Sequence, residues 1–307
     1  MFEFLNINMD FFGLDISDTS LKAVGVKKRG RNIDIVSWGK IKLEEGVVSG
    51  GKIKNEDALA SSIKELIAKV NGKKLSKYVV TSLPEEKSFF QTIEMPEMER
   101  RQIRETIEYE AESCIPLPLS DVYLDFQIIS SKNKNIEVLI VALPKKIVDP
   151  HLSSLKKAQL FPVAAEVESI STVRSVVSKE DSSKSILIID IGETKTSIIV
   201  FSNGVVRFSS YILLSSGEFT EKISDFYEIS EVEAEKIKKE HGIEKEEVKM
   251  VIEPLLNEAV GVIKKHLDYY NFCGFIPQGI EKIIICGGGS NLRGLNGFFS
   301  EKFELPV

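Results

Sequence analysis

The sequence predicts an α/β protein in which one plan, a strand meander followed by helices and a further buried strand, occurs twice. The first observation is a pair of similar segments, GLDISDTSLKAV at residues 13–24 and IDIGETKTSIIV at residues 189–200. In both, an apolar run ends in an aspartate, a polar turn follows, and apolar residues resume, which is typical of a turn between two strands. The second observation is the run Gly-Gly-Gly-Ser at residues 287–290, directly after another apolar segment.

Length and composition limit the classes of function. The 307 residues suffice for about two domains, each with its own core. A net charge of -6 argues against a nucleic-acid partner held by positive charge. The three cysteines form no Cys-x-x-Cys pair and the three histidines lie far apart, which favours a reducing compartment and argues against a zinc site.

The sequence carries no pattern of a targeting or membrane-spanning segment. The apolar N-terminus lacks a basic leader, and no run reaches the roughly 18 apolar residues of a membrane span. We therefore expect a cytoplasmic protein.

The first half is predicted to contain three strands, a helix and a fourth strand. After the first polar turn, a strand at residues 21–26 is followed by alternating apolar residues at 33–43 that predict the next strand. A glycine-rich loop at residues 46–51 precedes a helix from about Asn55 to Val70, which has one apolar face, and a strand at 78–83. This order is that of a ribonuclease-H-like half.

Residues 89–161 have a character of their own and predict an insertion. Pro96 opens a highly charged helix with a narrow apolar stripe, and Ile-Pro-Leu-Pro at residues 115–118 ends it. Strands at 122–129 and 136–143 and a helix from about Pro150 to Gln159 follow. The alternative to a binding module is a structural lid without ligands.

The second half repeats the plan. Its hairpin at residues 186–201 continues through the turn dipeptide Asn203-Gly204 into a third strand. Helices follow, one of them with a capping box formed by Ser230 and Glu233. A buried strand at 282–286 then leads into the glycine run.

The two polar turns and the glycine run suit a phosphorylated nucleotide. Turns of this kind surround an anion with backbone N–H groups and hydroxyls, and one turn per half would clamp a phosphate chain from opposite sides of a cleft. Three glycines allow a ligand to approach the backbone, and a helix predicted to begin near Leu292 would add its N-terminal dipole. For each feature the alternative is an ordinary turn without a ligand, and their combination favours the binding site.

Together these features resemble the actin/hexokinase/Hsp70 superfamily. Within it, the segment MPEMERRQIRETIEYEAESCIPLPLSDVYLDFQII at residues 95–129 resembles the PilM family of type IV pilus assembly proteins, relatives of the cell-division protein FtsA. The resemblance implies an α/β, duplicated ribonuclease-H-like (actin-like) fold with an inserted small SHS2-type subdomain.

The resemblance also implies four subdomains. The first actin-like subdomain comprises residues 1–88 and 162–185, and the inserted, partner-docking subdomain comprises residues 89–161. The second actin-like subdomain comprises residues 186–217 and 272–307, with a helical subdomain over the nucleotide cleft at residues 218–271.

By resemblance, the cofactor is ATP with Mg²⁺. The family pattern assigns Asp15, Ser17, Thr19 and Ser20 to the first phosphate loop, Asp190, Gly192, Thr194 and Thr196 to the second, and Gly287, Gly288, Gly289 and Ser290 to the adenosine loop. Asp15 and Asp190 would hold Mg²⁺ mainly through water. Ser17 stands where the family has glycine, so we expect the first loop to keep phosphate further away.

No residue is assigned a catalytic role, and we expect at most slow ATP hydrolysis. The nearest candidates for a general base, Glu166 and Glu168, are equally well explained as solvated charges on a helix.

The family function implied is that of a scaffold at the inner-membrane platform of the pilus machinery. Its implied partner is the N-terminal cytoplasmic tail of the inner-membrane protein PilN, expected in a groove lined by Ile115, Pro116, Leu117 and Pro118. The alternative is that this loop only ends its helix and packs inward. Contact with the inner face of the cytoplasmic membrane would be indirect, through PilN, and self-association stays open.

Two other functions stay open. An FtsA-like membrane tether carries a C-terminal amphipathic anchor helix, for which this sequence has no pattern. A small-molecule kinase of the same superfamily needs a substrate-binding loop, and none is evident before the helix at Asn55. The sequence stops at Val307, earlier than is usual in the family, and this predicts a missing final helix or a truncated product.

Overall fold

The computed structural model describes residues 10–30, 32–85, 88–132, 134–272 and 279–307. The chain divides into two compact units, Met1–Ser171 and Thr172–Val307. Within the described part of the chain, none of the helices has the length and the apolar character needed to cross a membrane.

Unit 1 contains a six-stranded sheet and a smaller three-stranded sheet. Its elements are β1 (Phe11–Ile16), β2 (Ser20–Arg29), β3 (Asn32–Lys42), β4 (Val48–Ser49), β5 (Lys52–Ile53), α1 (Glu56–Ala68), β6 (Asn71–Gly72), β7 (Tyr78–Leu83), β8 (Phe89–Pro96), α2 (Arg100–Cys114), β9 (Val122–Lys132), β10 (Asn135–Pro144), α3 (Lys145–Lys157), β11 (Phe161–Val167) and α4 (Glu168–Val176), whose last residues enter unit 2.

The six-stranded sheet has the order β11-β7-β1-β2-β3-β6. Strands β1, β2 and β3 form the antiparallel meander predicted from the sequence, and β7 runs parallel to β1. One face of this sheet packs on α1 and α3, where the core includes Phe12, Leu14, Leu21, Ile63 and Leu155. Alternation of buried and exposed residues along β1 and β2 directs the other side chains away from that core.

The insertion forms its own small layer of sheet and helix. Its strands have the order β8-β10-β9, all antiparallel, and α2 packs on them through Ile103 and Ile107. The loop 115–118 follows α2 directly, as the sequence predicted, because Ile115 leaves the helical backbone conformation and is followed by proline.

Unit 2 repeats the plan of the first sheet. Its elements are β12 (Ile186–Ile191), β13 (Thr196–Ser202), β14 (Val205–Ile212), α5 (Ser216–Tyr227), α6 (Glu231–His241), α7 (Glu246–Phe272), β15 (Lys282–Cys286) and α8 (Leu295–Phe303). The sheet order is β14-β13-β12-β15, with an antiparallel meander and β15 parallel to β12. The pairing β1-β2-β3 with β7 is thus repeated by β12-β13-β14 with β15, and the predicted duplication is confirmed.

Three local predictions, on helices α3 and α8 and on strand β3, were wrong. Helix α3 begins at Lys145, five residues before the predicted start at Pro150, which lies inside the helix. Proline is common at the start of a helix because it lacks a backbone donor. Here the burial of Ile147 and Val148 in the first turn offsets the lost hydrogen bond. Leu155 of the same helix packs in the core of the six-stranded sheet, although the sequence placed this helix in the insertion.

The other two differences concern the end of the chain and strand β3. The helix predicted near Leu292 begins at Leu295, after a 3₁₀ turn at Gly288–Asn291. In β3 the pairing with β2 shifts at Gly25/Val26, so that Val26 faces Ile35 while Gly25 faces Ser37. This bulge moves Ile33 and Ile35 to the sheet face opposite Ser37 and Gly39, whereas simple alternation predicted one common face.

Candidate functional site

The second polar turn lies at the end of β12 in unit 2. Asp190 is the penultimate residue of this strand and is paired in register with Ser197 on β13 and Cys286 on β15. The hydroxyl of Thr172 donates a long hydrogen bond of 3.5 Å to the Asp190 carboxylate. The Gly192 N–H donates to the Lys195 carbonyl at 2.9 Å and closes the turn.

The glycine run lies directly against Asp190. Gly287 has φ 82° and ψ 175°, a conformation open essentially to glycine alone. A Cβ atom at Gly287 would overlap the Asp190 carboxylate and the Ile191 carbonyl, and one at Gly289 would overlap the Ile191 side chain. Gly288 is exposed and has open space around the position of a Cβ. The run therefore packs its backbone on Asp190 and leaves Gly288 facing solvent.

The electrostatics at this point favour a cation next to Asp190. Burial and, as a smaller contribution, the negative charge of Asp190 together raise the pKa of the Cys286 thiol to about 12. The thiol is therefore neutral and offers no competing charge. The negative charge of the Asp190 carboxylate also attracts a cation such as Mg²⁺.

Helix α5 anchors the second turn from the other side. The N–H of Ser216 donates to the Gly192 carbonyl at 2.9 Å, and the N–H of Gly217 donates to the Glu193 carbonyl at 3.0 Å. Thr196 is fully buried and donates its hydroxyl to the Leu214 carbonyl at 2.7 Å. Among the predicted residues of this turn, Thr196 therefore supports the strand pairing rather than facing a ligand.

Lys238 on α6 is a buried lysine that sequence reasoning missed. Its ammonium donates to the Ser216 carbonyl at 2.8 Å and to the Thr220 hydroxyl at 2.6 Å, and it pairs with Glu235 at 2.6 Å. Burial raises the pKa of Glu235, but hydrogen bonds from Lys238, Thr220 and Lys239 outweigh it and lower the pKa to about 2. The lysine thereby fixes the start of α5, which holds the second turn.

The signal that could have revealed this network is weak. Glu235 and Lys238 stand three residues apart on a helix with a clear capping box, and such pairs are common on solvated faces. The partners on α5 are distant in sequence, so no local pattern distinguishes the pair from a surface one.

The first polar turn lies in unit 1 and differs in its charge pattern. The Asp15 carboxylate accepts a hydrogen bond from Lys22 at 2.8 Å and another from the Ser82 hydroxyl at 3.2 Å. The Ser17 hydroxyl bonds to the Ser20 carbonyl at 2.9 Å and stiffens the turn. Lys22, which the sequence analysis did not assign, thus partly neutralises Asp15.

Two other acidic side chains near the first turn have positions that the sequence did not predict. The Asp18 carboxylate accepts the backbone N–H groups of Gly50 and Gly51 at 2.8 and 3.1 Å, which ties the turn to the glycine-rich loop. Glu166 lies in β11, beside Ser82 in register, and not on the connecting helix, while Glu168 is the first residue of α4.

The apolar loop after α2 borders an open groove in unit 1. The groove has a volume of about 630 Å³, and its lining comprises Glu112, Ile115, Pro116, Leu117, Pro118, Leu119 and Ser120. Ile115 is buried in a cluster with Ala111 and Val122, and Leu117 is half-buried against the same cluster. Pro116 and Pro118 are exposed. The loop is therefore held by an inward anchor and presents its prolines outward.

The residues of unit 2 fit a Mg-nucleotide. A backbone loop packed on an aspartate, an exposed glycine at its tip and a turn closed by its own amide form a cradle for an anion and its counter-ion. Among the described residues, acidic, histidine and cysteine side chains form no group of three placed to hold a metal ion. A Mg²⁺ ion bound here would take most of its ligands from phosphate and water.

Comparison with known proteins assigns the chain to a family. The family model described as type IV pilus assembly protein PilM matches residues 13–307. The chain belongs to the PilM family. A solved PilM-PilN type IV pilus biogenesis complex is similar over 97% of this chain and 88% of that chain, with a TM-score of 0.81 and 26% identity.

Two further relatives are more distant. MreB 5 of Spiroplasma citri bound to AMPPNP has a TM-score of 0.59 and 15% identity over 97% of this chain and 90% of that chain, which supports the duplicated actin-like fold. The cell division protein FtsA of Buchnera aphidicola is 25% identical over 170 residues, 45% of this chain and 40% of that protein. The chain thus spans about two fifths of the length of that FtsA, and membership of the PilM family rests on the longer matches.

Proposed function

We propose that this member of the PilM family is an ATP-binding, actin-like scaffold of the type IV pilus inner-membrane platform that docks the N-terminal tail of a PilN-type protein. The proposal that the chain binds a nucleotide rests on the packing of Gly287 against the Asp190 carboxylate in unit 2. This packing supports a single site that combines the second polar turn with the glycine run.

In the proposed site, unit 2 contributes most of the binding. Asp190 orients Mg²⁺ through water, Gly192 and Thr194 face the phosphates, and Gly288 and Ser290 lie on the nucleoside side. When bound, Mg²⁺ neutralises part of the negative charge of the phosphates. Asp15, Ser17, Thr19 and Ser20 of the first turn are proposed as a second, weaker contributor, because Lys22 already engages Asp15.

The proposed activity is binding with at most slow hydrolysis. A general base needs a defined position toward an attacking water. Glu166 lies on strand β11 and Glu168 on helix α4, and we assign this role to neither of them. We expect turnover far below the ordinary enzymatic rate of about 10 per second. A purified protein that reaches that rate would contradict a scaffold role.

The test of the nucleotide site compares two matched substitutions. We predict that Asp190→Ala weakens Mg-ATP binding more than Asp15→Ala, by at least about tenfold or 1.4 kcal/mol. The reason is that Asp15 is partly neutralised by Lys22, and Ser17 carries a Cβ where the family has glycine. Calorimetry with Mg²⁺ present measures both affinities, and equal losses would contradict the ranking.

The partner half of the proposal rests on the groove beside α2. A tail with apolar residues and proline suits an open, proline-bordered groove, since an extended segment loses little conformational freedom on binding. Glu112 on the groove wall is exposed and favours a tail that also carries a cation. Docking of this kind brings the protein to the inner face of the cytoplasmic membrane through its partner.

A further inference from the structure

A buried carboxylate, that of Glu85, lies outside both proposed binding sites. Glu85 follows β7, on the segment that leads into the inserted subdomain, and it is 5% exposed. Its carboxylate accepts the backbone N–H of Ser169 at 3.1 Å, although the two residues are 84 positions apart in the chain. Burial of a carboxylate is costly unless hydrogen bonds compensate it, so this contact holds the two segments in a defined position.

The partner of Glu85 is the first turn of helix α4. Ser169 is the second residue of this helix, where the backbone N–H groups have no partner within the helix and the helix dipole favours a negative charge. Glu85 therefore holds the N-terminus of α4 from outside the helix. Because a short helix moves as a unit, a shift of the segment that carries Glu85 is expected to displace α4 as a whole.

One turn further along, helix α4 reaches the candidate nucleotide site. Thr172 follows Ser169 by three residues and therefore lies on the same side of the helix. Its hydroxyl donates the 3.5 Å hydrogen bond to the Asp190 carboxylate. The position of the α4 N-terminus thus sets how this hydroxyl meets the carboxylate that is proposed to orient Mg²⁺.

On its other side, Glu85 is linked to the groove beside α2. The Glu85 carbonyl accepts the Ser88 hydroxyl at 2.7 Å and the Ser88 N–H at 3.0 Å, directly before β8. Phe89, the first residue of β8, packs on the buried cluster that contains Ile115, and Leu117 packs on the same cluster. Both Ile115 and Leu117 line the groove. A continuous series of contacts therefore joins the groove to α4.

Two features show that helix α4 is loosely held along this series of contacts. The Ser169 hydroxyl is buried and has no hydrogen-bond partner among the described residues, a condition that costs free energy. The hydrogen bond between Thr172 and Asp190, at 3.5 Å, is longer than hydroxyl hydrogen bonds ordinarily are. Both contacts therefore allow a second, tighter position of α4.

We propose that Glu85 is a positioning residue that couples the groove beside α2 to the nucleotide site through α4. Binding at either site orders the shared contacts, so the second ligand has less conformational freedom to remove and binds more tightly. Bound nucleotide thereby regulates how firmly the partner's tail is held. The coupling rests on the proposed function, because its two ligands are Mg-ATP and an extended tail.

The test is a thermodynamic cycle with the full chain, Mg-ATP and a synthetic PilN-tail peptide. Calorimetry measures the affinity for the peptide without nucleotide and with saturating Mg-ATP, and the ratio of the two affinities is the coupling factor. We expect Mg-ATP to raise the affinity at least about fivefold. An unchanged or lower affinity in a protein that binds both ligands would overturn the coupling and leave the proposed function intact. A protein that fails to bind one of the two ligands would contradict the proposed function and the coupling with it.

Substitutions of Glu85 connect the coupling to this residue. Glu85→Ala removes the acceptor of the Ser169 N–H and should reduce the coupling factor to less than about twofold. Glu85→Gln keeps an acceptor oxygen at the same reach and should retain most of the wild-type factor, which separates positioning from charge. Glu56→Ala is the matched control, because it removes another carboxylate of unit 1, which accepts the Ser153 hydroxyl and joins α1 to α3. It should leave the coupling factor unchanged.

Ser169→Ala tests the same contact without loss of the buried carboxylate. The variant keeps the backbone N–H that binds Glu85 and removes only the hydroxyl, so it should fold as stably as wild type. In the tighter position of α4 the hydroxyl gains a partner, and its removal should lower the coupling factor at least about twofold. An unchanged factor in a folded Glu85→Ala variant would overturn the role of Glu85. If that variant does not fold, an unchanged factor in Ser169→Ala would overturn it.

Discussion

At the scale of the residue, Gly287 sets the geometry of the candidate nucleotide site. Its φ of 82° and ψ of 175° lie in a region that side-chain-bearing residues rarely adopt. A Cβ there would also overlap Asp190 and Ile191. The strain and the steric overlap act in the same direction, because both push the glycine run away from the aspartate.

We predict that Gly287→Ala weakens Mg-ATP binding at least about tenfold and destabilises unit 2 by about 1–3 kcal/mol. The neighbouring Gly288→Ala provides the control, since nothing lies within 4 Å of the added Cβ. It should leave the free energy of unfolding within about 0.5 kcal/mol of wild type. Calorimetry and urea unfolding measure the two quantities. Similar stability losses in both variants would show that the packing on Asp190 is not the cause.

At the scale of the element, α5 and α6 are joined by one buried ammonium group. Lys238 is 7% exposed and binds the first turn of α5, while the side chain of the adjacent Lys239 is 71% exposed and pairs with Glu235 at 3.1 Å. Removing Lys238 takes a donor from the half-buried Glu235 and from the Ser216 carbonyl, and a group that is left short of a partner costs more than the lost bond itself.

We predict that Lys238→Met lowers the free energy of unfolding by about 1–3 kcal/mol, and that Lys239→Met changes it by less than about 0.5 kcal/mol. Because α5 holds the second turn through Ser216 and Gly217, Lys238→Met should also weaken Mg-ATP binding. Urea unfolding of the two variants compares them directly. A larger loss for Lys239→Met would contradict the role assigned to the buried amine.

Helix α3 carries a buried titratable group, His151. Burial lowers the pKa of His151, and the hydrogen bond between Nδ1 and the Ile147 carbonyl, 2.8 Å long, opposes this only in part. The unfolded chain therefore binds a proton at higher pH than the folded protein. The stabilising contribution of the neutral ring is complete above the unfolded pKa of about 6.5 and is lost as pH falls below it.

We predict that the free energy of unfolding decreases between pH 7 and pH 5, by up to about 1.4 kcal/mol per pH unit from this one group. His151→Gln should be less stable at pH 7 and should show a shallower pH dependence over the same range. Urea unfolding at several pH values measures both slopes. Equal slopes in wild type and variant would show that another group is responsible.

At the scale of the whole molecule, the features that could be predicted from the sequence are those encoded by short local motifs. The duplicated polar turns, the glycine run and the end of α2 at Ile115 are short motifs whose chemistry does not depend on distant residues. The duplicated plan followed from their order. The bulge at Val36 of β3 was not predicted, because alternation in β3 continues on both sides of it and only the pairing with β2 reveals the shift.

The contacts that tune the candidate site could not be predicted in the same way. Lys22 and Asp15 are cross-strand neighbours in one hairpin, but Asp18 to Gly50 and Lys238 to Ser216 join residues that are far apart in the chain. Their partners are chosen by the tertiary arrangement, and lysine and aspartate at these positions have ordinary surface surroundings in the sequence. The structural role of Thr196 was missed for the same reason, because its hydroxyl donates to the Leu214 carbonyl, which is distant in sequence.

The central claim is that one chain binds Mg-ATP and, at a separate surface, an extended tail of a PilN-type protein. Leu117→Glu changes the half-buried leucine of the groove, and Ile128→Glu, at an exposed apolar position of β9, is its matched control. Each variant is titrated by calorimetry first with a synthetic PilN-tail peptide and then with Mg-ATP. We expect Leu117→Glu to lose tail binding at least about tenfold while ATP binding is retained, and Ile128→Glu to retain both. Unchanged tail affinity in a folded Leu117→Glu variant would contradict the claim.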